Sequence, residues 1–126
     1  MIEVVSTANA PAALGPYSQA LKVNGFIYCS GQIPINPASS AVEAVSIEDQ
    51  TRQAITNLKN VLEAAGSSLA NVVKTTVFIK DMNDFASINE VYAEFFTDNY
   101  PARSCVEVAR LPKDVLIEIE AVALKA

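Results

Sequence analysis

The chain has 126 residues, with 14 acidic and 9 basic side chains and a formal net charge of −5. A chain of this length fits one domain spanning residues 1–126, which buries about two-thirds of the surface that its unfolded form exposes. The acidic balance, with no run of lysine or arginine, argues against a nucleic acid or an anionic membrane as partner. We also expect no membrane span, because no apolar run approaches the roughly 20 residues needed to cross a bilayer.

The residue types that are absent narrow the possible chemistry. The chain has no histidine, which excludes Ser-His-Asp and Cys-His catalytic groups and the common zinc-binding motifs. Cys29 and Cys105 are expected to be reduced thiols of a cytoplasmic protein, because the N-terminal residues show no signal-peptide pattern. The sequence therefore predicts a site without metal or cofactor, built from Arg, Glu, Tyr, Ser, Cys or backbone amides.

The first half of the chain predicts a hairpin followed by a helix. Asn24-Gly25 separates the strand-like runs 20–23 and 26–29, and this dipeptide favours a type I′ turn because both positions tolerate positive φ. Ser46 is the expected N-cap of a helix with apolar residues at i, i+3 and i+4 spacing, and Gly66 is the expected end of that helix.

The second half predicts a strand, a helix and two further strands. A β-branched run indicates a strand over 72–80, Asn83 or Asp84 is the expected cap of a second helix, and strands are expected at about 103–109 and 115–124. The buried stripe of the second helix is expected to comprise Phe85, Ile88, Tyr92, Phe95 and Phe96. The order β-β-α-β-α-β-β predicts an α+β domain with its helices on one face of one sheet.

The other face of this sheet is expected to be partly apolar. In the last strand, the residues alternate between an apolar set (Val115, Ile117, Ile119 and Ala121) and a mixed set (Leu116, Glu118, Glu120 and Val122). In the strand over 72–80, alternation puts Val73 beside Thr75 on one face and Val72 beside Lys74 on the other. A one-sheet domain with such a second face usually covers it with another subunit, so we predict a homo-oligomer.

Charged residues within the last two strands are the candidate site. The planar fork of Arg103 suits a carboxylate ligand, although a plain salt bridge of Arg103 with Glu107 or Glu118 is an equal alternative. Glu118 and Glu120 can point to one face as site residues, or they can be solvated carboxylates. Without a histidine, Cys105 is more typical of a small buried residue than of a nucleophile.

Two segments of the first half add candidates from loops and strand ends. Tyr17 is an aromatic anchor or lid, or else a core residue. Ser30-Gly31 offers a hydroxyl and an approachable backbone amide, or else is simply a turn that ends a strand. The residues alone leave these alternatives open.

Several separated blocks resemble the YjgF/RidA family of imine/enamine deaminases, over residues 6–124. The blocks are Asn9 to Gln19, Ser30-Gly31-Gln32-Ile33-Pro34, Val73 to Phe78, Asn89, Pro101-Ala102-Arg103-Ser104, and Ile117-Glu118-Ile119-Glu120-Ala121, of which the last two are the most specific. The resemblance implies a chorismate-mutase-like subunit with one mixed sheet. It also implies a homotrimer whose sheets form a central barrel, with an active cleft at each subunit interface.

The resemblance also implies a reaction and residue roles. Family members hydrolyse 2-iminobutanoate and 2-iminopropanoate to 2-oxo acids and ammonia without a cofactor. By resemblance, Arg103 grips the substrate carboxylate, Glu118 positions the attacking water and the Gly31 amide binds the carboxylate. The remaining implied substrate-binding residues are Tyr17, Ser30 and Asn89, which line the pocket, and Cys105, which contributes its backbone carbonyl.

Two other functions compete with this one. The first is a non-catalytic regulator that binds a small carboxylate. The second is an endoribonuclease, an activity attributed to some relatives, against which the net charge of −5 and the lack of histidine both weigh.

Overall fold

Six strands and two α-helices make up the fold of residues 1–126, which the computed structural model describes throughout. In chain order they are β1 (Glu3–Val5), β2 (Ala20–Val23), β3 (Phe26–Gln32), α1 (Ile47–Ala64), β4 (Val72–Ile79), α2 (Phe85–Phe95), β5 (Ala102–Glu107) and β6 (Ile117–Leu124). The strands form one sheet in the order β1-β2-β3-β6-β4-β5. Only β4 and β5 pair in parallel, so the predicted mixed sheet of an α+β domain is confirmed.

The predicted hairpin joins β2 to β3. Asn24 and Gly25 have φ values of 50° and 80°, which are the two positive angles that a type I′ turn requires. Antiparallel pairing runs from Val23 opposite Phe26 to Ala20 opposite Cys29. The prediction of a hairpin at this dipeptide is therefore confirmed.

Both predicted ends of α1 are confirmed. The Ser46 side chain accepts a hydrogen bond from the Asp49 amide at 3.1 Å, which satisfies one free N–H group of the first turn. After the helix, Gly66 has a φ of 82°, and the Ser67 amide donates to the Leu62 carbonyl at 2.9 Å. This reversed backbone with its bond to the third residue from the helix end is a Schellman cap.

The second helix differs from its prediction at its start. Asp84 lies at the N-cap position without a side-chain capping bond. Asp81 instead accepts from the Asn83 amide at 2.9 Å, and so caps the short 3-10 turn over 82–84 that precedes the helix. Ile88, Tyr92 and Phe96 of the expected stripe are buried, Phe95 is half-buried, and Phe85 is exposed.

The core lies between the helices and one face of the sheet. The predicted apolar face of the last strand is buried throughout, at Val115, Ile117, Ile119 and Ala121. In β4, the predicted alternation fails at the first residues: Val72 is buried, whereas Val73 is exposed and does not share the buried face of Thr75. The cause is a register shift between Val72 and Lys74 in the pairing of β4 with β6, since one extra residue moves the following side chains to the other face.

The sequence pattern does not predict strand β1. It has three residues and pairs only with β2 at the edge of the sheet. Three residues are too few to display alternation, so nothing local distinguishes this strand from a loop.

The face of the sheet opposite the helices carries large apolar side chains. Tyr28 pairs with Val122, and Phe26 pairs with Leu124. Tyr28 is 48% exposed, and Phe26 and Leu124 are also exposed. We call this surface the open face. No helix of the structure has the length and apolar character needed to cross a membrane.

Candidate functional site

Arg103 lies in the edge strand β5, on the helix side of the sheet. It pairs with Thr75 of β4 in the parallel ladder, and Thr75 is fully buried beneath α2. The Arg103 Nη1 donates to Asn89 Oδ1 at 2.8 Å. The guanidinium carbon lies 4.8 Å from the centre of the Tyr92 ring and 5.4 Å from that of the Phe85 ring, within the range of cation–π attraction.

The salt-bridge alternative for Arg103 is wrong. Arg103 takes part in none of the ion pairs of the chain, and Glu107 instead accepts from the Met82 amide at 2.9 Å. The bond to Asn89 is the only hydrogen bond that the Arg103 side chain makes. A guanidinium has five N–H donors, so most of those on Arg103 are available to a ligand.

Shallow grooves flank the Arg103 guanidinium on both sides. Met82, Phe85 and Cys105 line one of them together with Arg103, and Asn89 and Tyr92 contribute to the other. Burial raises the pKa of the Cys105 thiol, although the charge of Arg103 acts in the opposite direction. A thiol with a raised pKa stays protonated near neutral pH, which makes it a poor nucleophile.

Glu118 lies on the open face, in contact with the backbone of Gly31. A β-carbon on Gly31 would overlap the Oε2 atom of the Glu118 carboxylate, so any larger residue at position 31 would displace this carboxylate. Burial raises the pKa of the Glu118 carboxyl, and the charge of the nearby Glu120 raises it further. Such a carboxyl holds its proton more strongly than an ordinary glutamate, which is a common property of catalytic acids and bases.

A bulge in β3 places Gly31 next to this carboxylate. The pairing of β3 with β6 shifts register between Cys29 and Gln32, and Ser30 and Gly31 lie in the shifted segment. The Ser30 hydroxyl donates to the Ser18 carbonyl at 2.6 Å, and the Ser30 amide donates to the Gln19 carbonyl at 3.0 Å. Ser30 is thus tied to the segment that follows Tyr17, and its hydroxyl proton is already in use.

Tyr17 lies at a cleft that also contains Gly31. The cleft has a volume of about 210 Å³. Its other lining residues are Pro11, Ala12, Leu14, Gln19, Gln32, Ile33, Ile35, Pro112 and Lys113. Tyr17 is 55% exposed, so the alternative in which it is a core residue is wrong.

The candidate residues form two groups that one subunit does not bring together. Arg103 and Cys105 pair with Thr75 and Val77 on the helix side, near Asn89. Glu118 alternates with the buried Ile117 and Ile119, and therefore faces the opposite side of the sheet. Gly31, Ser30 and Tyr17 belong to this second group. Within one subunit, Arg103 and Glu118 do not share a pocket.

Two buried polar residues that support the loops near the site are not predicted by the sequence analysis. Asn57 of α1 is fully buried and donates to the Ile33 and Ile35 carbonyls, and Gln50 of the same helix accepts from the Leu116 amide. Both lie on the apolar stripe of α1, and a polar residue on a buried stripe is a signal that the sequence does contain. No group of three or more His, Cys, Asp or Glu side chains lies close enough together to hold a metal ion.

Comparison with known proteins identifies the family. The family model described as endoribonuclease L-PSP matches residues 7–125. A RutC family protein of Pyrococcus horikoshii is 59% identical over 125 residues, which cover 99% of each chain. The 2-iminobutanoate/2-iminopropanoate deaminase of Escherichia coli strain K12 is 53% identical over 128 residues, again covering 99% of each chain. The crystal structure of Escherichia coli TdcF with bound serine has a TM-score of 0.94 at 46% identity, and covers 98% of this chain and 99% of that one.

These matches extend over nearly the whole chain at about half identity or more, and they agree with the resemblance of the separated sequence blocks. The chain therefore belongs to the YjgF/RidA family.

Proposed function

We propose that this protein hydrolyses small 2-imino acids, such as 2-iminobutanoate and 2-iminopropanoate, to 2-oxo acids and ammonia. One molecule of water is consumed for each imine, and neither metal nor cofactor takes part. The observation that carries the proposal is Arg103, whose guanidinium is held against Tyr92 and Phe85 and bonded to Asn89, while most of its donors lack a partner.

Arg103 is the proposed carboxylate-binding group. An arginine fork donates two parallel hydrogen bonds to the two oxygens of a carboxylate, and each charged hydrogen bond contributes about 1.5–3 kcal/mol. In this proposal the Gly31 amide also binds the carboxylate, Tyr17, Ser30 and Asn89 line the pocket, and Cys105 offers its backbone carbonyl. These contacts orient the imine carbon toward the water.

Glu118 is the proposed base. As the water oxygen bonds to C2 of the protonated imine, the C=N π electrons move to nitrogen and Glu118 accepts a proton from the water. Glu118 then returns this proton to the amine nitrogen of the carbinolamine. The C–N bond breaks with its electron pair leaving on ammonia, and the hydroxyl group becomes the 2-oxo group as it loses its proton to solvent. Orientation and one carboxylate suffice, because imines are already reactive toward water.

A second copy of the chain is required to complete this site. Arg103 and Glu118 lie on opposite faces of the sheet in one subunit, and the open face carries exposed apolar residues such as Phe26 and Tyr28. We propose a homotrimer in which the sheets form a central barrel and each site takes Arg103 from one subunit and Glu118 from its neighbour. Closed rings of heterologous contacts generate this arrangement three times.

The known relatives support the same activity. One relative with 53% identity bears the name of the deaminase, and a structural neighbour holds serine, a small amino acid with a carboxylate. The name of the family model points instead to RNA cleavage. The net charge of −5 and the lack of histidine both disfavour that activity, because RNA binding relies on phosphate neutralisation by Lys and Arg and acid–base catalysis most often relies on histidine.

The deciding experiment measures 2-oxo acid release from 2-iminobutanoate. A threonine dehydratase generates the imine in place, and semicarbazide traps the fraction that is not hydrolysed. We expect the wild type to accelerate release, and Arg103→Ala to lower kcat/KM by roughly 10²–10⁴-fold through loss of two charged hydrogen bonds. A folded wild-type protein without any effect would favour the carboxylate-binding regulator. Cleavage of an RNA substrate in a parallel reaction would favour the nuclease.

A further inference from the structure

Two aromatic residues of α2, Phe85 and Tyr92, lie against the Arg103 guanidinium. We call this pair of rings the bed of Arg103. Phe85, Asn89 and Tyr92 follow one another at i, i+4 and i+7 on α2, and therefore lie along one side of the helix. All three contact the same guanidinium group: the two rings through their faces and Asn89 through its Oδ1 atom. One helix thus supplies the side-chain hydrogen bond and both aromatic contacts of the Arg103 head group.

Tyr92 is itself fixed from two directions. Its hydroxyl shares a hydrogen bond of 2.9 Å with Oγ1 of the fully buried Thr75. Its ring stacks on Phe96 with centroids 4.4 Å apart. Thr75 lies directly beside Arg103 in the paired strands, so the Tyr92 ring spans the space between α2 and the strand residue next to Arg103.

The ring is electrically neutral around neutral pH. Burial raises the pKa of the Tyr92 phenol, although the bond to Thr75 and the charge of Arg103 act in the opposite direction. The guanidinium therefore rests on an uncharged aromatic face, which attracts a cation through its quadrupole without neutralising its charge. A salt bridge in this place would compete with a ligand carboxylate for the same donors.

We propose that Tyr92 is the positioning residue for Arg103. Together with Phe85 it holds the guanidinium plane in one orientation. Asn89 occupies a donor on Nη1, which leaves the edge formed by Nε and Nη2 for the two oxygens of a carboxylate. The role of this edge rests on the proposed function, whereas the restraint of Arg103 by the Tyr92 ring does not.

The test compares Tyr92→Phe with Tyr92→Leu in the full-length protein. The first variant keeps the ring and loses only the hydroxyl, whereas the second removes the ring. In NMR spectra, the Nε–Hε signal of Arg103, assigned by its absence in Arg103→Lys, is expected to be shifted by the ring current in the wild type and in Tyr92→Phe. In Tyr92→Leu it is expected to move toward the position of solvent-exposed arginines, with only the more distant Phe85 ring left to shift it.

Kinetics of 2-oxo acid release supply a second readout. We expect Tyr92→Leu to raise KM about 5–30-fold, the range from an exposed to a desolvated cation–π contact, with a much smaller change in kcat. Tyr92→Phe is expected to retain a near-native KM. Val91→Ala, which removes buried volume from the same helix, controls for general weakening of α2 and is expected to leave KM unchanged.

Each outcome decides the matter. An unchanged Arg103 signal and an unchanged KM in Tyr92→Leu would overturn the proposal, as would equal damage by Tyr92→Phe. If Tyr92→Leu does not fold, Phe85→Leu at the exposed end of the bed takes its place, with the same direction of change expected. If the wild type releases no 2-oxo acid but the NMR shifts behave as described, the proposed function fails while the positioning of Arg103 stands. Titration with pyruvate then tests whether a carboxylate perturbs the Arg103 signal.

Discussion

Gly31 shows how one missing side chain shapes the candidate site. Its α-carbon lies against the Glu118 carboxylate, and the space of a β-carbon is already taken by the Oε2 atom of Glu118. The role of glycine here is to leave space for this carboxylate, because Gly31 does not have the positive φ found at Gly15, Gly25 and Gly66. The carboxylate thus lies directly against the Gly31 backbone, where the proposed function places the group that positions the water.

Replacing Gly31 with alanine is expected to displace the Glu118 carboxylate. Since the new methyl group overlaps Oε2, we expect Gly31→Ala to lower kcat by roughly 10²-fold, within the range of general acid–base effects. The double variant with Glu118→Gln should be no slower than Glu118→Gln alone, because both changes act through one carboxylate. Additive losses in steady-state kinetics would show that Gly31 acts independently of Glu118.

The pH dependence of activity is expected to report Glu118. The base must be ionised to accept a proton from water, and burial together with Glu120 raises its pKa. As the pH is lowered, activity should therefore begin to fall at a higher pH than it would with a glutamate of ordinary pKa. A pH profile of kcat/KM checks this, and the residual activity of Glu118→Gln should lack that acidic limb.

At the scale of elements, side-chain amides restrain the loop that leads to the cleft. Gln19 accepts from the Thr7 amide at 2.7 Å and donates to the Thr7 and Pro11 carbonyls at 3.0 and 2.8 Å. Asn60 of α1 donates to the Asn9 carbonyl at 2.8 Å. These bonds restrain the segment that leads to Tyr17, so its conformation depends on side chains outside the segment itself.

Asn57 provides the sharpest test at this scale. Its Nδ2 donates to the Ile33 and Ile35 carbonyls at 3.0 and 2.9 Å, and its Oδ1 accepts from Gln53. Because two part-buried carbonyls lose their donor, Asn57→Leu is expected to lower the free energy of unfolding by about 2–4 kcal/mol. Urea denaturation measures the change.

A matched control for Asn57 lies on the exposed side of the same helix. Lys59→Ala is expected to change the free energy of unfolding by less than about 0.5 kcal/mol, since its 4.0 Å contact with Glu63 is solvent-exposed. A similarly small effect of Asn57→Leu would mean that water replaces the lost donors, and that the segment 33–35 does not depend on α1.

At the scale of the whole molecule, the proposed site is shared between subunits. Arg103 points to the helix side at one edge of the sheet, whereas Glu118 lies on the open face. Under the proposed roles, a subunit alone has the carboxylate-binding arginine without the base, and the base without that arginine. Association is the step that joins them in this proposal.

Mixing two inactive variants tests the sharing directly. Arg103→Ala and Glu118→Gln are each expected to be nearly inactive, but random exchange of their subunits in equal amounts should restore about a quarter of wild-type activity. In a ring of such contacts, about one interface in four pairs an intact Arg103 with an intact Glu118. The control is each variant alone, taken through the same subunit-exchange procedure.

The outcome of mixing has a clear alternative. If exchanged oligomers, verified by mass spectrometry, regain no activity, then the shared site is wrong. Tyr28→Glu on the open face adds a second measure: a charge in an apolar contact is costly to bury, so this variant is expected to dissociate the oligomer in sedimentation experiments.

Local sequence patterns determined much of the fold. The turn at Asn24-Gly25, both caps of α1 and the buried face of the last strand depend on neighbouring residues only, and the structure confirms each of them. The lack of histidine limits the possible chemistry, and the separated sequence blocks alone indicate the family. The choice of Arg103 and Glu118 as site residues also came from sequence, and their roles stay predictions.

The tertiary structure decided what depends on contacts distant in sequence. The bulge that reverses Val72 and Val73 and the pairing of the three-residue strand β1 both arise from partner strands. The bed of Phe85 and Tyr92 under Arg103 exists only because α2 packs beside β5. Alternation within a strand predicts which of its own residues share a face of the sheet, but it does not predict the register between two strands. The separation of Arg103 from Glu118 across the sheet therefore emerged only from the strand register.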